Sequence, residues 1–197
     1  MSRALLIVVS GPAGSGKTTL CARLTEAYPQ AIRRVITCTT RSPRAGEADG
    51  TDYHFLDRPS FERQVAAGVF LEHARVHGHL YGPRLRDVAM HLRAGFDALL
   101  NVDVQGAATL RAKGAADPHL AASLVTVFIR LSDRAELRRR LTGRGTDPVD
   151  EIDRRVAAAE EELRHAGAYQ HVFESGSRAD DFEALRSIYL AEKARRP

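Results

Sequence analysis

Gly11-Pro12-Ala13-Gly14-Ser15-Gly16-Lys17-Thr18 satisfies every fixed position of the pattern G-x-x-x-x-G-K-[ST]. Its flanks decide the fold. Ala4-Leu5-Leu6-Ile7-Val8-Val9 is a short apolar run rich in β-branched residues, which reads as a fully buried strand. Thr18-Thr19-Leu20-Cys21-Ala22-Arg23-Leu24 reads as the start of a helix. A strand, a glycine-rich turn and a helix N-terminus gather backbone N–H groups around an anion, and the helix dipole adds partial positive charge. Glycine lets this backbone curl and approach phosphates without a Cβ in the way. Lys17 is placed to reach β- and γ-phosphates, and the Thr18 hydroxyl to ligate Mg²⁺. A chance glycine-rich turn would not bring both flanks with it. The stretch implies a nucleoside triphosphate site.

The 197 residues suit one domain with inserts. Apolar content of 44% and charged content of 27% are those of a soluble globular chain. A net charge of +4 permits nucleic-acid binding without requiring it, and no aromatic–basic platform accompanies it. Cys21 and Cys38 form no C-x-x-C pair, so both read as structural thiols of a reducing, cytoplasmic compartment. No stretch approaches membrane-spanning length. Monomer and homodimer both fit.

Outward from the loop, the first helix should end near Ala27-Tyr28-Pro29, followed by a strand over Arg34–Thr37. Residues 39–50 are polar, with Pro, Gly and an Asp-Gly turn signal, and loops of such length inside compact domains are usually functional. Tyr53–Leu56 resumes a strand, and Asp57 caps a helix through Phe61 and Val65 that Gly68 ends. Phe70–Val76 reads as a strand, Gly78–Pro83 as a turn, and Val88, Met90 and Leu92 as a helix stopped by Gly95. Further strands are expected over 96–104, 124–129 and 170–173, with helices over 135–141, 150–165 and 182–194. Strands joined by helices imply a parallel sheet covered on both faces. The short strands of 35–90 break this alternation and read as an inserted lobe.

Seven stretches then occur in order: Gly11–Thr18, Thr39-Thr40-Arg41-Ser42-Pro43-Arg44-x-Gly46-Glu47, Asp49-Gly50-x-Asp52-Tyr53, Phe70-Leu71-Glu72, Tyr81-Gly82, Asp103-x-Gln105-Gly106 and Gly143-Arg144-Gly145-Thr146. Together they resemble the guanylate kinase family over nearly the whole chain. The resemblance implies an α/β fold: a phosphate-loop three-layer core with a parallel sheet, an inserted mixed-β lobe binding the nucleoside monophosphate, and a small helical lid. The expected division is a core of about 1–34, 95–139 and 158–197, a GMP lobe of about 35–94 and a lid of about 140–157. It implies Mg²⁺-dependent transfer from ATP to GMP, and to dGMP, with both nucleotides as small-molecule partners.

By this resemblance Gly11, Pro12, Ala13, Gly14, Ser15, Gly16, Lys17, Thr18 and Thr19 bind ATP. Thr37, Arg41, Arg44, Glu47, Tyr53, Glu72, Tyr81 and Asp103 bind GMP, and Lys17, Arg41, Arg140, Arg144 and Arg155 are catalytic. Thr18 holds the metal, with Asp103 reaching it through water. The chemistry agrees. Planar arginine forks such as Arg41 and Arg44 suit a phosphate dianion. Guanine presents N1–H and a 2-amino group as neighbouring donors, and the Glu72 carboxylate offers only acceptors. Asp103 ends a buried strand, where open α/β sheets present ligands, but it also reads as the cap of the next helix. Arg140, Arg144 and Arg155 span a glycine hinge whose closure would deliver them to developing charge. An acceptor phosphate with a second pKa of about 6 demands no general base.

Three positions and one three-residue stretch depart from the family pattern. Pro83 stands for a small hydroxyl residue, Asn101 for a frequent acid, His73 for a common tryptophan, and Glu174-Ser175-Gly176 for the region of an Asn-Asp pair. His73, His77 and His79 lie close in sequence without a neighbouring cysteine, and the resemblance gives them no metal. Glu160-Glu161-Glu162 reads as a solvated face. Two other functions fit the same scaffold: a kinase of another phosphorylated acceptor, such as a ribosyl phosphate, and a non-catalytic guanylate-kinase-like binding module. Glu72 argues against the first. The intact Lys17 and Thr18, and a chain filled by one domain, argue against the second.

Overall fold

In the computed structural model, which describes residues 3–76, 78–143, 145 and 148–196, the first apolar run becomes β1 (Leu6–Ser10), buried throughout. It is the centre of a parallel sheet. β7 (Asp97–Asn101) flanks it on one side with Leu6 opposite Ala98, and β8 (Leu124–Arg130) on the other with Leu6 opposite Leu124. β2 (Ile32–Arg34) and β9 (His171–Glu174) complete the order β2-β7-β1-β8-β9. The two-residue period of a strand divides the core in two. Leu6, Val8, Leu100 and Phe128 face one layer; Leu5, Ile7, Val9, Leu99 and Val127 face the other.

Helices cover both faces. α1 (Lys17–Ala27) and α8 (Arg178–Arg195) supply Leu20, Leu24, Leu185 and Tyr189 to the second layer. α3 (Leu85–Arg93) and α4 (Val104–Ala116) supply Val88, Ala107 and Leu110 to the first. Asp97 is 1% exposed at the start of β7, yet each carboxylate oxygen is satisfied. The Leu5 amide and Lys193 Nζ donate to Oδ1 at 2.7 and 3.0 Å, and the Tyr189 hydroxyl donates to Oδ2 at 2.9 Å. A buried carboxylate is tolerated only with such partners.

A second, mixed sheet has the order β4-β3-β6-β5, formed by β3 (Thr37–Thr39), β4 (His54–Phe55), β5 (Ala74–Val76) and β6 (His79–Pro83). α2 (Arg58–Ala66) packs beneath it through Phe61, stacked on Phe70 at 4.4 Å. Asp57 caps α2 by accepting from the Ser60 amide at 2.6 Å. α5 (Pro118–Ser123) links α4 to β8. α6 (Arg134–Thr142) and α7 (Val149–Arg164) form a helical pair with its own core of Leu137, Leu141, Ile152, Val156 and Ala159.

Three expectations are corrected. The strand expected over Arg34–Thr37 is two strands in different sheets: Val35 donates to Leu99 O at 3.0 Å, and the chain then crosses to the second sheet. The strand expected over Phe70–Val76 is regular only from Ala74, because Leu71 turns into the main core and Glu72 turns beneath α4. The turn expected over Gly78–Pro83 is the strand β6, antiparallel to β3 and β5. Its glycine serves close packing: a Cβ at Gly82 would lie 2.9 Å from Glu72 O and 3.0 Å from the Phe70 ring.

Candidate active site

β1 ends at the phosphate loop and β7 ends at Asn101-Val102-Asp103, so two adjacent parallel strands open into one crevice at their carboxyl ends. That is where open α/β sheets bind ligands. Gly11 begins the loop with φ 143°, and a Cβ there would sit 2.4 Å from the Ile129 carbonyl oxygen. Gly16 is the N-cap of α1 and no side chain caps that helix, which leaves its first-turn amides to an anion. Lys17 Nζ donates to the Gly11 and Pro12 carbonyls at 2.6 and 2.9 Å, folded over the loop that it follows. The Thr18 hydroxyl accepts from Asn101 Nδ2 at 3.1 Å.

One cavity joins this loop to the second sheet. Gly11, Ala13, Gly14, Gly16, Lys17, Thr18 and Thr19 line one side, with Thr37, Arg44, Tyr53, Glu72 and Tyr81 opposite and Asp103 between them. Pro12 and Ser15 lie in the buried part of the same loop. Asp103 also caps α4, accepting from the Gly106 amide at 2.9 Å, so both readings of that residue meet in one carboxylate. Glu47 lies behind the arginines rather than on the cavity wall. Its two oxygens each accept from Arg41 Nη2 at 2.9 Å, and Oε2 also accepts from the Arg44 amide at 2.8 Å. Burial works against the charge on Arg41, but the bonds to Glu47 and to Tyr81 outweigh it and hold the guanidinium firmly protonated.

Glu72 is 4% exposed. Desolvation pushes its carboxyl up to about 8, Asp103 adds to the rise, and Lys113 opposes it. Oε2 has no hydrogen-bond partner. A buried carboxyl group on the cavity wall, with one oxygen left without a partner, is primed for a ligand that offers donors.

The remaining arginines occupy two adjoining clefts. Arg155, only 9% exposed, donates to Glu151 at 2.9 Å and shares a cleft with Arg41, Arg44 and Tyr81. Arg140 is bound to Glu136, Ser175 and Gly176 at 2.6, 2.9 and 3.1 Å, in a cleft beside Gly14, Gly16 and Thr19. Arg144, Thr146 and His77 lie outside the described residues. Among the described residues no group of three or more His, Cys, Asp and Glu is placed to hold a metal. Cys21 and Cys38 are buried and unpaired. Among the described residues no helix is long and apolar enough to cross a membrane.

The solvated reading of Glu160-Glu161-Glu162 is corrected at its last member. Glu160 and Glu161 are exposed, but Glu162 lines the cavity, and burial raises its carboxyl to about 7 against the pull of Lys17. The signal was in the helical period: Glu162 follows the buried Ala159 by three and the buried Arg155 by seven.

A glycine-rich loop between β1 and α1, at the crevice of a parallel sheet, defines the class: a phosphate-loop α/β nucleotide-binding protein. The family model described as "Guanylate kinase" matches residues 3–192. A guanylate kinase of Dechloromonas aromatica is 44% identical over 186 residues, covering 94% of this chain and 88% of the relative. One of Anaeromyxobacter dehalogenans is 44% identical over 192 residues, covering 97% and 82%. The crystal structure of guanylate kinase from Anaplasma phagocytophilum superposes with a TM-score of 0.78 at 28% identity, covering 98% of this chain and 88% of that one. The chain belongs to the guanylate kinase family, and it is an enzyme of the kinase class.

Proposed function

We propose that the chain transfers the γ-phosphoryl group of MgATP to GMP, and to dGMP, giving ADP and the diphosphate, as a cytoplasmic step of purine nucleotide metabolism. The observation that carries this reading is the single cavity that Lys17 and Thr18 line together with Thr37, Arg44, Glu72 and Tyr81. Donor phosphates would bind Gly11–Thr19, and Lys17 would exchange two loop carbonyls for phosphate oxygens. Arg41, Arg44, Tyr53 and Tyr81 would enclose the acceptor phosphate, with Glu47 fixing both the Arg41 fork and the Arg44 backbone. Thr37 and Glu72 would read guanine. The N1–H and 2-amino donors would meet the Glu72 carboxylate, and the site expels the carboxyl proton as GMP binds.

Thr18 and Asp103 present hard oxygen donors to the same cavity, a set that fits Mg²⁺ held by the hydroxyl and, through water, by the carboxylate. Bound there, the ion neutralises charge on the transferring phosphoryl group. Residues 140–157 would act as a lid over the core and the lobe of residues 35–94, bringing Arg140, Arg144 and Arg155 to that group and excluding water. Catalysis is then positioning and charge neutralisation, with no general base.

Turnover with MgATP and a panel of GMP, dGMP, AMP, CMP, UMP and ribosyl phosphates tests the proposal, with ADP and the phosphorylated product both quantified. GDP formed in step with ADP is the expected result. A folded protein that phosphorylates only an acceptor without guanine, or none, overturns it.

A further inference from the structure

Gly106 stands in the first turn of α4, and glycine is a poorer helix former than alanine. Its backbone does not call for glycine, since Gly106 is absent from the positive-φ residues. Space does. A Cβ at 106 would lie 2.7, 2.8 and 2.9 Å from Oε2, Cδ and Oε1 of Glu72, closer than real Cβ atoms stand to such neighbours. The Glu72 segment has little room to retreat. Lys113 of α4 donates to Leu71 O, Gln105 Nε2 donates to Arg75 O at 3.1 Å, and Gly82 passes close beneath Glu72 O.

We propose that Gly106 is a specificity-determining positioning residue: its missing side chain sets the depth at which the Glu72 carboxylate meets the acceptor base. The inference rests on the reading of Glu72 as the guanine reader. The Gly106 amide also donates to Asp103 at 2.9 Å, so one residue of α4 limits the base reader while bonding a second carboxylate of the same cavity. An alanine here would preserve the helix and displace the carboxylate.

The test compares wild type, Gly106→Ala, Glu72→Gln and the double variant. KM for GMP should rise about tenfold or more in Gly106→Ala while KM for MgATP is unchanged, and the preference for GMP over AMP should shrink. The double variant should be no worse than Glu72→Gln alone, because the two changes act on one contact. Additive losses, an equal rise in both KM values, or wild-type behaviour of Gly106→Ala overturn the proposal. A crystal structure of Gly106→Ala gives a readout that needs no turnover: a displaced Glu72 carboxylate is expected, and an unmoved one refutes the inference. Wild type inactive on GMP would sink the functional reading by itself, and the carboxylate displacement would still be read.

Discussion

Replacing Glu72 by glutamine should stabilise the ligand-free protein, increasingly so as pH rises. The carboxyl is buried, its Oε2 lacks a partner, and burial raises it from 4.5 to about 8. Between those values the folded chain holds a proton that the unfolded chain has released. Wild-type stability therefore falls as pH rises through this window, by up to ~1.4 kcal/mol per pH unit. Glutamine has nearly the same shape and cannot ionise. The variant should match wild type near pH 5, pull ahead from there, and level off above pH 8 with an advantage of at most ~5 kcal/mol. Urea unfolding of both proteins at pH 5, 6, 7, 8 and 9 reads the difference directly, and other titrating groups cancel. Added GMP should reduce the slope, because its donors satisfy the carboxylate. A difference independent of pH would refute the buried, unsatisfied carboxyl on which the base-reading argument stands.

Lys17→Ala should lower kcat by at least a hundredfold while the fold persists, since Nζ donates to the Gly11 and Pro12 carbonyls of its own loop; an active, folded variant would remove the phosphate-loop assignment. Glu47→Ala should raise KM for GMP about tenfold and leave KM for MgATP alone, because it frees the Arg41 fork. Tyr189→Phe should destabilise by about 1–3 kcal/mol in urea unfolding, since it strips Asp97 Oδ2 of its hydroxyl donor in a buried site. Glu162→Gln should repeat the Glu72 stability profile over a narrower window that closes near pH 7.

The parts legible in the sequence were those whose local signal agrees with their tertiary role. The loop flanked by Leu6–Ser10 and Lys17–Ala27 was readable because an unbroken apolar run and a glycine-rich turn need no outside partner to be interpreted. Asp57 was readable for the same reason, as its cap bond spans three residues. In the second sheet, β6 was not. Gly78, Gly82 and Pro83 are turn residues by composition, and a strand there is explained by its pairing with β3 and β5, with Gly82 packed close against the Phe70 ring. Residues 104–116 lack an apolar stripe because the buried face of α4 is built largely from small residues, among them Gly106, Ala107 and Gly114.

At the site, residue types and order named the walls of the cavity but not their arrangement. That Glu47 works from behind Arg41, and that Glu162 faces inward beside Lys17, depends on distances between elements far apart in the chain. Gly106 is the sharpest case. In sequence it belongs to Asp103-x-Gln105-Gly106, and only its approach to Glu72, 34 positions earlier, shows why glycine stands there.

The most direct test of the central claim is the ratio of kcat/KM for GMP to that for AMP, measured in wild type and in Glu72→Gln. The account predicts a strong preference for GMP in wild type. Charge-assisted hydrogen bonds of about 1.5–3 kcal/mol set the loss, so the ratio should fall about tenfold to 150-fold in the variant while KM for MgATP stays constant. An unchanged ratio would contradict the claim that this buried carboxylate selects the acceptor.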